Sequence, residues 1–204
     1  QTVASVTADG LVTGMAAGQT EIVIINGAAE EVVPLVVTTP LLAPATVGAA
    51  GGVVETPNAA TISIPQGALE QDTAVSLTLL DPATLTNWGI PDAFEFAAAL
   101  ELDVGEWTLR KPGQLALPVA AAISEGTEVV FSQRMIITLE GEQVEAWVQV
   151  DRGTVGSDGV ARTGGRPGRG VRESGSYLVT WAQPGSTGEL QLDLSLANPL
   201  SADT

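Results

Sequence analysis

The chain has 204 residues, 45% of them hydrophobic, and contains neither cysteine nor histidine. Those two absences exclude disulfides, thiolate chemistry, zinc–thiolate sites and any catalytic triad built on an imidazole base. A formal net charge of −16 sets the surface against nucleic acid phosphates and anionic lipid, and no apolar run approaches the ~18 residues of a membrane-spanning helix.

The length suggests one or two domains. Glycine and proline punctuate short runs of Val, Leu, Ile and Thr, the pattern of an all-β chain. Aromatic residues are few, so the cores have to be aliphatic. The acidic balance reads as solubility in a secreted or salt-rich setting. Nothing at the start reads as a signal peptide, so Gln1 is expected to open a mature or trimmed chain. The sequence carries no LPxTG-type tail and no polybasic anchor.

Residues 1–38 predict paired short strands. Val3–Val6 is a strand, Asp9-Gly10 a tight turn and Leu11-Val12 the start of the return. Gly14 and Gly18 bracket a corner. Thr20–Ile25 is the next strand, Asn26-Gly27 a second hairpin signal, and Val32–Val37 an apolar strand interrupted by Pro34. The stretch VASVTADGLVTGMAAGQTEIVI resembles the C-terminal half of a bacterial immunoglobulin-like domain of the second group. That resemblance covers about forty residues and implies that the first strands of the sandwich are missing. A half sandwich exposes an apolar face and unpaired edges.

Residues 39–52 are rich in Pro, Ala and Gly and are expected to be a linker. Residues 53–183 form the larger unit. Its predicted strands are Val53–Glu55, Ala60–Ile64, Ala74–Leu80, Phe94–Val104, Gln114–Val119, Glu128–Leu139, Gln143–Val150, Val160–Arg162 and Tyr177–Trp181. Ile62 and Ile64 alternate with Thr61 and Ser63, and Val75, Leu77 and Leu79 with Ser76 and Thr78. Val144, Ala146, Val148 and Val150 alternate with Glu145, Trp147 and Gln149. One buried and one wet face is the pattern of a β-sandwich. The alanine runs at 97–99 and 120–122 are too short, and too close to strand residues, to be helices.

GGVVETPNAATISIPQGALEQDTAVSLTLL resembles the opening of a ZU-five domain, with its Gly-Gly, its I-x-I-P-x-G-A-L and an acidic turn. LRKPGQLALPV, GEQVEAWVQVDRGTVGSDGVART and GSYLVTW resemble later strands of that family. The likeness covers about 130 residues. It implies a module of bacterial surface or secreted proteins, or of protein-binding adaptors. Taken together, the chain is expected to be all-β: an immunoglobulin-like partial sandwich, then a larger ZU-five-like antiparallel β-sandwich. Residues 184–204 form a C-terminal strand and tail, in which Leu190, Leu192, Leu194 and Leu196 alternate with Gln191, Asp193 and Ser195.

Six features are candidates for chemistry or binding. Some ZU-five relatives cleave themselves before a serine near the closing strand. Here Ser176 stands at that place without the His and Phe of the family motif, so the base is lost. An isopeptide bond needs a buried lysine, and Lys111, the single lysine, sits in an Arg-Lys-Pro-Gly turn. Asp151 and Asp158 share a Gly-rich stretch, but two acids fall short of a calcium shell. Calcium therefore stays open as a partner without a ligand set. Arg162, Arg166, Arg169 and Arg172 crowd one Gly/Pro-rich stretch of an acidic chain, either as a solvated loop or as a contact with a subunit or partner. The tail leucines could add a strand to a neighbouring chain, begin a further domain, or fold back. Trp88, Trp107, Trp147 and Trp181 are spread over four segments and read as core or rim residues rather than as a sugar platform.

The expected role is non-enzymatic and needs no cofactor. It is an extracellular structural module of a surface fibre, stalk or layer, completed by strands between neighbouring chains or domains. The alternative is an adhesin-type module that recognises a protein or glycan. Localisation is expected to be secreted or cell-surface.

Overall fold

The computed structural model describes residues 2–182, apart from 9, 11, 86–89, 91–93, 121 and 165–169. The chain is all-β. Strands β1 (Ala4–Val6) and β2 (Val12–Gly14) pair as one two-stranded sheet, and β3 (Gly18–Asn26) and β4 (Ala29–Val37) as another. The later strands are β5 (Leu41–Leu42), β6 (Ala45–Val47), β7 (Gly52–Glu55), β8 (Thr61–Ile64), β9 (Thr73–Leu79), β10 (Glu95–Asp103), β11 (Gln114–Pro118), β12 (Glu128–Leu139), β13 (Glu142–Val155), β14 (Val160–Thr163) and β15 (Gly175–Trp181). They form a single eleven-stranded sheet in the order β5-β7-β8-β11-β14-β13-β12-β15-β10-β9-β6. Its strand pairs are antiparallel except β5 with β7, so the sheet is mixed rather than purely antiparallel.

The two ends of that order, β5 and β6, are consecutive in the chain and separated only by Ala43 and Pro44. One short stretch therefore lies against β7 at one end of the sheet and against β9 at the other. This departs from the linker expected over 39–52. Val47 is buried, and Ala43 and Ala45 pack against the main core. The prolines are compatible with these strands because they fall before β5 and between β5 and β6, outside both ladders. Gly51 makes the following corner possible. Its φ is +73°, and a Cβ there would collide with the Ile64 carbonyl.

The core follows from period-two alternation. Ile62 and Ile64 of β8 point inward, as do Val75 and Leu77 of β9, while Ser63, Ala74 and Thr78 stay exposed. Ala97–Ala99 lie inside β10 and are buried. The stretch Ile62–Leu69 turns a corner. Ile62, Ile64, Ala68 and Leu69 are all buried, the Ala68 N–H donates to the Pro65 carbonyl at 3.1 Å and the Gly67 N–H to that of Ala49 at 2.8 Å. Tyr177, fully buried near the start of β15, donates its hydroxyl to the Glu173 carbonyl at 2.7 Å, the geometry of a tyrosine corner.

Along β13 the alternation expected over 144–150 ends at a bulge. Phe131 pairs with Asp151, but Ser132 pairs with Gln149, which leaves Val150 as the extra residue of a bulge. The inward set changes phase there: Ala146, Val148 and Val150 are half-buried before it, and Asp151 and Val155 are buried after it. Gly153 is needed in the same stretch, because a Cβ would overlap the Arg162 carbonyl of β14. β12 pairs with β15 only over Val129–Gln133, and β13 with β14 only over Gly153–Val155. Residues 134–147 thus continue past the sheet as a two-stranded arm. Met135 faces Ala146, Ile137 faces Val144 and Leu139 follows on the same side, which gives the arm one apolar face. Ile136, on the other side, is 65% exposed.

Candidate functional site

The first candidate surface is built by β1–β4. The two hairpins are stitched at one corner, where the Met15 and Ala16 N–H groups donate to the Val3 carbonyl at 2.8 and 3.2 Å. Gly14 lies against the Val37 side chain and Gly18 against that of Val3, close approaches that a larger residue would obstruct. In the β3–β4 register, Ile22 stands opposite Val33, Thr20 opposite Leu35 and Gly18 opposite Val37, with Ile24 continuing the same face. That face is apolar from Gly18 and Val37 to Ile22 and Val33 apart from Thr20, and Ile24 beyond them stands opposite Glu31. The opposite face carries Val23, Val32, Ile25 and Val36 among Gln19, Glu21 and Glu30. Ile25 is 70% exposed and Val36 62%, and Val6, Met15, Val23, Ile24, Val32 and Val33 are exposed as well. Among the described residues, β3 and β4 have no hydrogen-bonded neighbour but each other, so each has an open edge. An open groove of about 650 Å³ runs over Val23, Pro34 and Val36.

Two of the four arginines expected at a contact are described. Arg162, in β14, donates to Asp158 at 2.9 and 2.5 Å and to the Val160 carbonyl at 3.2 Å. The guanidinium holds the Asp158 carboxyl below its ordinary value, and the carboxylate raises that of Arg162. Arg172 donates one Nη to the carbonyls of both Leu109 and Arg110, at 3.0 and 3.1 Å. Both are thus turned onto their own chain: Arg162 closes a turn, and Arg172 pins an irregular segment. Arg166 and Arg169 lie outside the described residues. So do the tail leucines Leu190, Leu192, Leu194 and Leu196, and Trp88.

The remaining singled-out residues also have places. Ser176 lies within β15 and donates its hydroxyl to Glu101 at 2.7 Å. Lys111 donates to the Gln66 carbonyl at 2.7 Å. Asp151 is buried in β13 while Asp158 sits in the exposed turn beyond it, so the fold does not gather the two into one loop. Among the described residues no group of three or more carboxylates is arranged to hold a metal ion. No helix of the described chain is long and apolar enough to cross a membrane. Trp147 packs beside Leu85, Ala99 and Leu178, and Trp181 against the main core. Trp107 differs, being 47% exposed.

Three features escape a reading of residue types alone. The arm of β12–β13 does, because alternation marks β12, and β13 only as far as Val150 of its run to Val155, without showing where their neighbours stop. The clamp by Arg172 needs two carbonyls sixty residues upstream in sequence. The cleft beside Trp107, lined by Glu70, Gln71, Thr73, Thr108 and Arg110, joins two distant segments. Compared with known protein families the chain matches none, and compared with curated proteins it matches none.

Proposed function

We propose that the chain is a non-enzymatic extracellular module, a structural subunit of a surface fibre, stalk or layer, whose N-terminal hairpins are completed by strands of a neighbouring chain. One observation carries this reading: the face of β3–β4 on which Ile24 and Val33 stand exposed, with the two open edges beside it among the described residues. Two-stranded sheets are marginal in water, and further strands would cover the face and pair the edges. The tail segment around Leu190–Leu196 has the alternation such a donor strand needs. The likeness of residues 3–24 to half of a bacterial immunoglobulin-like domain, and of residues 51–80 to the opening of a ZU-five domain, supports a surface or secreted setting. The composition, without His or Cys, supports a role other than catalysis.

Negative-stain microscopy and light scattering of the purified chain test this reading. The full chain should form ordered filaments, and the chain lacking residues 189–204 should not. An Ile24→Lys substitution on the open face should also abolish them. A chain that stays monomeric at high concentration overturns the reading. A second reading, an adhesin-type module that binds a protein or glycan, is favoured by the exposed Trp107.

A further inference from the structure

We propose that the cleft between residues 68–73 and 105–110 is a binding site for one ring of a neutral glycan, with the Trp107 indole as its stacking platform. This deepens the binding-module reading and is independent of assembly through the hairpins. The cleft has a volume of about 150 Å³ and is lined by Ala68, Leu69, Glu70, Gln71, Thr73, Trp107, Thr108 and Arg110. An indole beside a carboxylate, an amide, hydroxyls and a guanidinium is the chemistry that recognises a pyranose. The C–H face of the ring stacks on the aromatic plane, and its hydroxyls exchange hydrogen bonds with the polar rim. Glu70 and Arg110 form an ion pair across that rim, so acceptor and donor groups lie side by side. The pairing leaves no local excess of positive charge, and the chain as a whole carries −16. Both facts select a neutral sugar over a sulfated or uronic one.

The segment that presents Trp107 is pinned from several sides. The Ser174 hydroxyl accepts from the Val104 N–H at 2.9 Å and donates to the Gly105 carbonyl at 2.8 Å. The Gly105 N–H donates to Asp103 at 2.7 Å. Gly105 has φ +68°, and the Trp107 ring edge lies 3.6 Å from where a Cβ would stand there, at van der Waals contact. The Leu109 N–H donates to the Arg172 carbonyl at 2.7 Å, Arg172 holds the Leu109 and Arg110 carbonyls, and the Arg110 N–H donates to Ala68 at 3.0 Å. On the facing side the Thr73 hydroxyl donates to the Gln71 carbonyl at 3.1 Å. An aromatic side chain left half-exposed on backbone fixed this way loses little freedom on binding, which is what preorganisation requires.

The test is a titration of the full chain with cellohexaose, N-acetylchitohexaose and maltohexaose, followed through the indole N–H resonances. The chain has four tryptophans, so the signals can be assigned by substitution. Expected is a saturable shift of the Trp107 indole with at least one probe, at a dissociation constant on the order of 1 mM for a single-ring contact. Trp107→Ala should weaken binding at least tenfold, and Gln71→Ala should weaken it with the melting temperature unchanged. Trp107→Phe, which keeps a smaller platform, should retain part of the affinity. Absence of a saturable shift with all three probes overturns the proposal, as does binding that survives Trp107→Ala. A shift of Trp107 with a proline-rich decapeptide, which also stacks on indole, and with none of the sugars overturns the glycan assignment. Deleting residues 189–204 should leave the titration unchanged, which separates this result from the assembly reading.

Discussion

Tyr177 is the chain's only tyrosine, and it is buried with its hydroxyl spent on the Glu173 carbonyl. Burial pushes its phenol well above the ordinary value. The folded state therefore holds the proton longer than the unfolded chain, whose phenol titrates near 10. The stability gained from the neutral phenol is fully present below pH ~10 and is lost as pH rises from there toward the folded value. Tyrosinate absorbance should appear late and together with unfolding; an early, reversible titration near 10 in the folded protein would contradict the burial. Tyr177→Phe removes the donor and leaves the Glu173 carbonyl unpaired, at a cost of about 1–3 kcal/mol read by urea denaturation. None of this is legible in the sequence, because GSYLVTW shows a strand but not which carbonyl the hydroxyl reaches. Arg172 teaches the same lesson. Its charge is visible among neighbouring arginines, but the two carbonyls it clamps come from Leu109 and Arg110.

At the scale of elements, alternation and turn residues marked most strands of the large sheet within a residue or two. Glu128–Leu139 coincides with β12 end to end. The signal fails where backbone geometry intervenes. Val150 looks inward by count and does pack against the core, but the count does not show the bulge, which puts Asp151 inside as well. The stretch 39–52 looks like a linker by composition, yet Val47 is core. Composition reports proline and glycine content, and an edge strand tolerates both. Gly153 marks the place where β13 crosses closest to β14. Gly153→Ala should force the Arg162 carbonyl aside and break the ladder from Gly153 to Val155, costing about 1–3 kcal/mol or more. The urea midpoint should fall at unchanged slope; a midpoint equal to that of the parent would mean that the two strands part at Gly153 without loss.

The molecule as a whole divides by burial. The buried hydrophobic residues begin at Val47, while β1–β4 contribute none of them. Amide exchange should divide in the same way. Amides of Leu100–Leu102 in β10, Val129–Gln133 in β12 and Tyr177–Trp181 in β15, each with a paired strand on both sides, should exchange only through global opening, and those of β3 and β4 orders of magnitude faster. Equal protection across the two regions would show that the hairpins are covered in solution. The all-β class was legible from the spacing of glycine, proline and β-branched residues. The incompleteness of the N-terminal part was an expectation from family likeness; what the structure adds is the exposure of Ile24 and Val33 on one face of β3–β4 and of Ile25 and Val36 on the other. The glycan cleft was not legible, since four scattered tryptophans give no hint of which one stands clear of the core.

The placing of β5 and β6 at opposite ends of one strand order has a mechanical consequence. A pull on the chain ahead of residue 39 arrives first at these two short strands, each gripped by a single neighbour. A pull beyond Trp181 arrives instead at β15, gripped by β10 on one side and β12 on the other. The module resists tension unequally at its two ends, and peeling from the hairpin end unfastens both margins of the sheet at one stroke while the centre still holds.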